Sequence, residues 1–336
     1  MIPDFIHPIL QKSVRSLLNE VSNPSVNPMN KVIPFPRLPV QSWDCPYSKI
    51  EPVASTLTHW TYPLDISSRK KMKGMVHTNV MAALNVTPDS FSDGSLHNTV
   101  PTAIAYVQES VAGGATIVDV GGYSTCPVSV FVSREEELSR VLPAFQALRN
   151  PDILRQYEEQ HATDPSSPGI TERIMDTPFS VDTYRWEVAE AALQLGANCI
   201  NDVCGFTGPN YPPEEKEAKE YMTKMTAVAR RYASPVVLTH SRGADVNINN
   251  DYTKYAYAGN GKDGIFVEGV RVELGAKVEK VIKEGIRRWL IIADPGVCYS
   301  KPLYGNLEVL REASKVVEDV LIGDSKYLSI SFLSRF

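Results

Sequence analysis

From residue 76 onward the chain alternates short apolar runs, polar turns and stretches of helical periodicity. The apolar runs fall at 80–86, 116–120, 179–181, 199–203, 236–238 and 290–293. Apolar positions spaced for helices recur between them, near 101–112, 134–149, 184–195, 216–233, 266–285 and 306–321. Strands of four to eight residues alternating with helices predict a parallel sheet with helices packed outside it. Six such units, with a further apolar run at 327–332, favour a closed barrel. Alternation alone leaves an open doubly wound sheet in play. Ser133-Arg134-Glu135-Glu136 reads as a capping box for the second helix. Gly196 supplies the left-handed residue that ends the third. Two segments, 150–176 and 241–264, read as long loops. The second follows a strand, so it is expected at the ligand-binding end; the first precedes one and is expected at the opposite end.

The first 75 residues have a different character. Residues 1–21 predict one amphipathic helix, from about Pro8 to Val21. Residues 22–75 hold many of the prolines (Pro24, Pro28, Pro34, Pro36, Pro39, Pro46 and Pro52 among them) and the basic run Arg69-Lys70-Lys71-Met72-Lys73. Proline removes backbone donors and disfavours helix before it, so this stretch is expected to be linker. The basic run reads first as solvated surface and second as a targeting or anion-binding patch.

Composition narrows the classes. The chain has 336 residues and 43% apolar content, ordinary for a folded protein. Its 34 Lys+Arg against 39 Asp+Glu leave a formal charge of −5. That balance argues against a nucleic-acid partner. No run of about 18 apolar residues predicts a membrane span. The start lacks a secretory signal pattern, so the expected compartment is cytoplasmic or mitochondrial rather than extracellular. Five scattered cysteines (Cys45, Cys126, Cys199, Cys204, Cys298) with no CxxC pair predict neither a disulfide scaffold nor a structural zinc site.

Chemistry collects where the apolar runs end. The first ends at Asn85 and Thr87, followed by Asp89 and Ser90. The second ends at Asp119 and Gly121-Gly122-Tyr123-Ser124-Thr125. The third ends at Asp182, the fourth at Asn201-Asp202, the fifth at Thr239-His240-Ser241-Arg242, and the sixth at Asp294-Pro295-Gly296. Taken singly, an Asp after a strand is a common helix cap or turn former, and His240 could be a packed core residue. Six strands delivering polar groups to one rim outweigh those readings, since that rim is where parallel barrels build sites. Asp182, Asn201 and Asp294 offer acceptors and amide donors suited to a flat heterocycle with an amino group, a ring N–H and a carbonyl, such as a guanine-like or pterin ring. Asn85 offers a hard oxygen for Mg²⁺. Ser124, Thr125 and the backbone N–H groups near Gly121-Gly122 can hold phosphate oxygens. No nucleophile–base spacing, Walker loop or GxGxxG fingerprint appears.

Five blocks then resemble one family: MAALNVTPDSFSDGS (81–95), IVDVGGYSTCP (117–127), FSVDTYRWEVAEAALQLGANCINDVCG (179–205), VVLTHSRG (236–243) and IIADPGV (291–297). Their order and content resemble dihydropteroate synthase over about 76–336. Residues 1–21 resemble the C-terminal end of hydroxymethyldihydropterin pyrophosphokinase, the order found in multifunctional folate polypeptides of fungi. The resemblance implies a (β/α)₈ barrel joining 4-aminobenzoate to 7,8-dihydropterin-6-ylmethyl diphosphate. It assigns the pterin to Asp182, Asn201 and Asp294, and catalytic weight to Asp182 and Asn85. It gives Mg²⁺ and the diphosphate to Asn85, and the diphosphate and aminobenzoate loops to Thr87, Asp89, Ser90, Ser124, Thr125 and Pro127. A homodimer is the assembly it suggests.

The chain departs from the family pattern in three places, the mildest being Cys298-Tyr299 after Val297, where the family turn has Gly-Phe. Cys126 stands where the family carries Arg, a bidentate phosphate donor that Cys cannot replace. The end, Ser331-Phe332-Leu333-Ser334-Arg335-Phe336, lacks the family's Ser-Arg-Lys and its eighth strand. A barrel stopping after about strand 7 is therefore expected. Two other readings stand beside the synthase: an inactive fragment that at most binds pterin, and a pterin-binding barrel with methyltransferase chemistry. The NVTPDSFSDG loop favours the synthase over the latter.

Overall fold

The computed structural model describes residues 80–87, 99–123, 131–161, 169–242, 251–255, 264–313 and 316. All of them belong to the second of the chain's two units, Lys49–Phe336. The expected helix near the N-terminus, the linker and the seventh apolar run lie outside the described residues.

Six strands form one parallel sheet: β1 Met81–Asn85, β2 Ile117–Gly121, β3 Phe179–Asp182, β4 Cys199–Asp202, β5 Val236–Thr239 and β6 Ile291–Asp294. Each strand pairs with its successor, giving the order β1-β2-β3-β4-β5-β6. A doubly wound sheet reverses direction at a switch point. Sequential order without reversal is the wall of a β/α barrel, and it settles the alternative that alternation left open.

The helices are α1 Val100–Ala112, α2 Arg134–Leu148, α3 Pro151–His161, α4 Ile170–Asp176, α5 Trp186–Gln194, α6 Glu215–Arg231, α7 Ile265–Lys283 and α8 Leu303–Arg311. Six match the expected stretches. The segment 150–176, expected as a loop, instead carries α3 and α4. Asn150 caps α3 through Oδ1, which accepts from the N–H groups of Asp152 at 2.9 Å and Ile153 at 3.3 Å, with Pro151 at the first helical position. Helix α8 starts earlier than expected, at Leu303 rather than 306. At α2 the Ser133 hydroxyl accepts from the Glu136 N–H at 3.1 Å, while the Glu136 carboxylate pairs with Arg140. The box is therefore half made. Gly196 adopts φ +103 as expected.

The two faces of the sheet differ. On the outer face Leu84, Val118, Val120, Val181, Ile200, Val236, Leu238, Ile291 and Ala293 join one core with helix residues such as Ile104, Phe145, Ala189, Met225 and Leu274. On the inner face Cys199, Val237 and Ile292 form a separate small cluster. Toward the carboxyl ends of β1 to β4, the residues alternating with the outer set are Asn85, Asp119, Ser180, Asp182 and Asn201, which side-chain alternation along a strand places on this inner face. No helix among the described residues is long and apolar enough to cross a membrane.

Gly296, in the turn after β6, has no substitute. Its φ is +67, and a Cβ there would lie 1.9 Å from the backbone oxygen of His240. Gly296→Ala is expected to cost the left-handed penalty of roughly 1–2 kcal/mol plus a backbone shift. The melting temperature should fall by about 5 °C or more in a domain of this size. An unchanged melting temperature would contradict this packing.

Candidate functional site

Register assembles the site. Asn85 pairs with Gly121, Gly121 with Asp182, and Asp182 with Asn201, so these residues form one row across four strands. Gly121 leaves room between the side chains beside it. A Cβ there would lie 3.3 Å from Asp182 Oδ2 and 3.6 Å from Asn85 Oδ1. Two oxygen-bearing groups therefore converge over a glycine at the carboxyl end of the sheet. Asn85 and Asp182 are buried at 8% and 5% exposure.

Asp294 belongs to the same face, one step nearer the rim. It pairs in register with Thr239, and the Thr239 hydroxyl donates to Asp294 Oδ2 at 3.1 Å. Oδ1 accepts from the Gly296 N–H at 2.8 Å. Four predicted residues, Asn85, Asp182, Asn201 and Asp294, thus share one polar face. Thr87 follows β1 and is buried, its Oγ1 having no hydrogen-bond partner among the described residues. Asp89, Ser90, Ser124, Thr125 and Pro127 lie outside the described residues.

Asp202 has a different duty from its neighbour. Its Oδ1 accepts from the Cys204 N–H at 2.7 Å and its Oδ2 from the Phe206 N–H at 2.9 Å, which fixes the turn after β4. Burial pushes its carboxyl up to about 6 against the pull of those donors.

Two groups were left without a site role by the sequence reading. The first is Asp119, which stands two residues before Gly121 and so on the same face. The Ser180 hydroxyl donates to Asp119 Oδ1 at 2.6 Å, and Asn201 Nδ2 donates to Asp119 Oδ2 at 2.9 Å. The parity of Asp119 with Gly121 was the available signal.

The second is a buried network behind the β5 and β6 ends. His240 is fully buried and contacts Glu273 of α7 from Nε2 at 2.9 Å. Lys301 Nζ lies 3.1 Å from His240 Nδ1 and donates to the carbonyls of Gly296 and Tyr299, each at 2.8 Å. Nδ1 is therefore the acceptor, and Nε2 carries the proton toward Glu273. Burial and the neighbouring Lys301 hold the imidazole down to about 3, so it stays neutral. Arg242 grips Glu273 through two bonds, 3.0 Å from Nε and 2.8 Å from Nη2. It also donates to the Asp251 carbonyl at 2.9 Å and lies 3.8 Å over the Tyr252 ring. Burial opposes the charge of Glu273, but bonds from His240, Arg242 and Tyr255 outweigh it and hold the carboxyl below its usual range. The network ties the Gly296 turn, the 251–255 segment and α7 together. His240 is thus the packed residue of the single-site reading, here with a structural task.

Among the described residues no group of three or more His, Cys, Asp or Glu side chains gathers as a metal site. Magnesium usually keeps waters and substrate phosphate oxygens and takes few protein ligands. One amide oxygen at Asn85, with the Thr87 hydroxyl two residues on, fits that mode.

The fold and its polar rim define a β/α-barrel protein with hydrogen-bonding side chains gathered at the carboxyl end of its sheet. Comparison narrows the class. Residues 81–157 and 151–326 match the family described as pterin binding enzyme. The chain is 35% identical over 252 residues to a dihydropteroate synthase of Synechocystis, covering 74% of this chain and 72% of that protein. It is 31% identical over 315 residues to the folic acid synthesis protein of Pneumocystis carinii, covering 93% of this chain. The chain spans only 33% of that longer protein. A dihydropteroate synthase from Clostridium difficile, solved in the presence of pteroic acid, superposes with a TM-score of 0.52 at 30% identity, covering 72% of this chain and 73% of that one. The chain belongs to the dihydropteroate synthase family. The 315 aligned residues exceed the 261 of positions 76–336, so the likeness to the Pneumocystis protein reaches into the segment before the barrel.

Burial lowers the Lys301 ammonium to about 7, against about 10.4 for a free lysine. Between those values the unfolded chain binds more protons than the folded one. Stability should therefore rise with pH across about 7 to 10, by at most roughly 1.4 kcal/mol per pH unit. Denaturant midpoints measured at pH 7 and 9 should differ in the wild-type chain. In Lys301→Met the rise should be smaller. Equal rises in the two chains would contradict a buried lysine of lowered affinity.

Proposed function

We propose that this chain catalyses dihydropteroate formation, joining 4-aminobenzoate to 7,8-dihydropterin-6-ylmethyl diphosphate with release of diphosphate. The observation that carries the reading is the row Asn85–Gly121–Asp182–Asn201 at the carboxyl end of the sheet, in a chain of the dihydropteroate synthase family. Membership comes with a relative solved in the presence of pteroic acid, a ligand of the expected ring class.

In this reading Asp182, Asn201 and Asp294 bind the pterin edge, with acceptors for its amino and ring N–H groups. Departure of diphosphate leaves cationic character on the methylene carbon, which the electron-rich ring shares. The nearby carboxylate of Asp182 opposes that charge in a site with little water. The arylamine nitrogen then attacks the carbon and loses a proton, so no covalent enzyme nucleophile is needed. Asn85 Oδ1 would hold Mg²⁺ together with the diphosphate. The ion, when bound, neutralises charge that builds on the leaving group. Thr87 contributes its hydroxyl at the same strand end. Asp89, Ser90, Ser124, Thr125 and Pro127 are assigned to the diphosphate and aminobenzoate by likeness to the family. Cys126 in place of Arg is expected to weaken the hold on the diphosphate. Such a step belongs to folate synthesis in the cytoplasm or mitochondrion.

The purified chain, given Mg²⁺ and both substrates, should form dihydropteroate above a no-enzyme control. Asp182→Asn should lower kcat/KM for the pterin diphosphate roughly 10- to 100-fold, the scale of one lost hydrogen bond to a charged group. Asn85→Ala should raise the Mg²⁺ concentration needed for half-maximal rate. Absence of product from the wild-type chain would overturn the proposal.

A further inference from the structure

We infer that Asp119 is a positioning residue that fixes which end of the Asn201 amide faces the ligand. The inference rests on the pterin-binding reading of this rim. Asn201 carries an acceptor, Oδ1, and a donor, Nδ2, on one flat group, and rotation by a half turn exchanges them. A polar neighbour decides between the two orientations. Here Nδ2 donates to Asp119 Oδ2 at 2.9 Å. An ionised carboxylate only accepts, so the opposite orientation would set two lone-pair-bearing oxygens against each other. Asp119 is itself held, since the Ser180 hydroxyl donates to its Oδ1 at 2.6 Å. Ser180 and Asp119 are register partners, which shortens the reach between them. Asp119 and Ser180 are both buried, at 2% and 0% exposure. Ser180 and Asn201 thus both donate to Asp119, one to each carboxylate oxygen.

The consequence is visible at the far end of the amide. Asn201 Oδ1 is buried and has no hydrogen-bond partner among the described residues. A buried acceptor left unmade is unfavourable, so it selects a ligand that brings an N–H to that point. Asp182, the register partner of Asn201, flanks it on the same row. The row thus presents a carboxylate and a fixed amide oxygen side by side, both accepting. A ring edge with adjacent N–H groups complements that pair, whereas an edge of bare ring nitrogens leaves it unsatisfied. Asp119 need not touch the ligand to set this preference.

The test is a double-mutant cycle read by calorimetric titration with pteroic acid. Asp119→Ala and Asn201→Ala should each weaken binding about tenfold or more. The double variant should bind no more weakly than Asn201→Ala, because Asp119 acts only through that amide. Asp119→Asn should also weaken binding, by less than Asp119→Ala, since its amide can turn either Oδ1 or Nδ2 toward Asn201 and no longer fixes that side chain. Should Asp119→Ala fail to fold, Ser180→Ala replaces it in the cycle. It should show a smaller loss that again vanishes without Asn201. Wild-type affinity in Asp119→Ala (or in Ser180→Ala where that stands in), or a loss carried undiminished into the Asn201→Ala background, would overturn the inference. Failure of the wild-type chain to bind pteroic acid would instead overturn the pterin reading, and this inference with it.

Discussion

A sheet buried on both faces has to satisfy its inner polar groups without bulk water, and that constraint shapes this molecule. The outer face is covered by apolar helix side chains. The inner face of β1 to β4 carries Asn85, Asp119, Ser180, Asp182 and Asn201, while β5 and β6 add Val237 and Ile292 below Thr239 and Asp294. Each buried polar group there needs a partner, because an unmade hydrogen bond in a low-dielectric interior is costly. Some partners are internal, as in the pairs Ser180–Asp119 and Thr239–Asp294. Asn201 Oδ1 and the Thr87 hydroxyl, buried near the carboxyl ends of their strands, have no partner among the described residues and are open to a ligand. Binding capacity is then a remainder of the packing, and its donor and acceptor pattern follows from which bonds the protein keeps for itself.

The same logic governs the support behind the rim. The turn after β6 must pass so close to His240 that only glycine fits at Gly296. That turn keeps its place because Lys301 spends its donors on Gly296, Tyr299 and His240. Glu273 anchors His240 and Arg242 from α7, and Arg242 fixes the 251–255 segment. Asp294 sits two residues before Gly296 and accepts from its N–H. A charge cluster behind the rim thereby sets the position of the Asp294 carboxylate.

The sequence made the strands and most helices legible because short β-branched runs bounded by Gly, Asp and Asn have few other solutions. Rim residues were legible for the same reason, since they terminate those runs. Asp119 was legible at the end of its run but without a role, because its partners Ser180 and Asn201 lie on two other strands. Only its parity with Gly121 places it on the polar face. Helix α3 escaped because Leu154 is its one buried residue, so the apolar period is nearly absent. Its Asn150-Pro151 start was the signal that remained. The Lys301–His240–Glu273–Arg242 network joins residues up to 61 positions apart and has no local signature. Strand order, too, is a tertiary property; alternation permits a reversal that only the pairing of each strand with its successor removes.

The central claim is that the inner edge formed by Asp182, Asn201 and Asp294 receives a pterin ring. A crystal structure of this chain soaked with pteroic acid tests it most directly. The account predicts the ring's amino and N–H edge within hydrogen-bond distance of those three side chains, with Asn201 Oδ1 accepting. A ring bound elsewhere on the molecule, or an Asn201 amide turned so that Nδ2 faces the ring and Oδ1 faces Asp119, would contradict it.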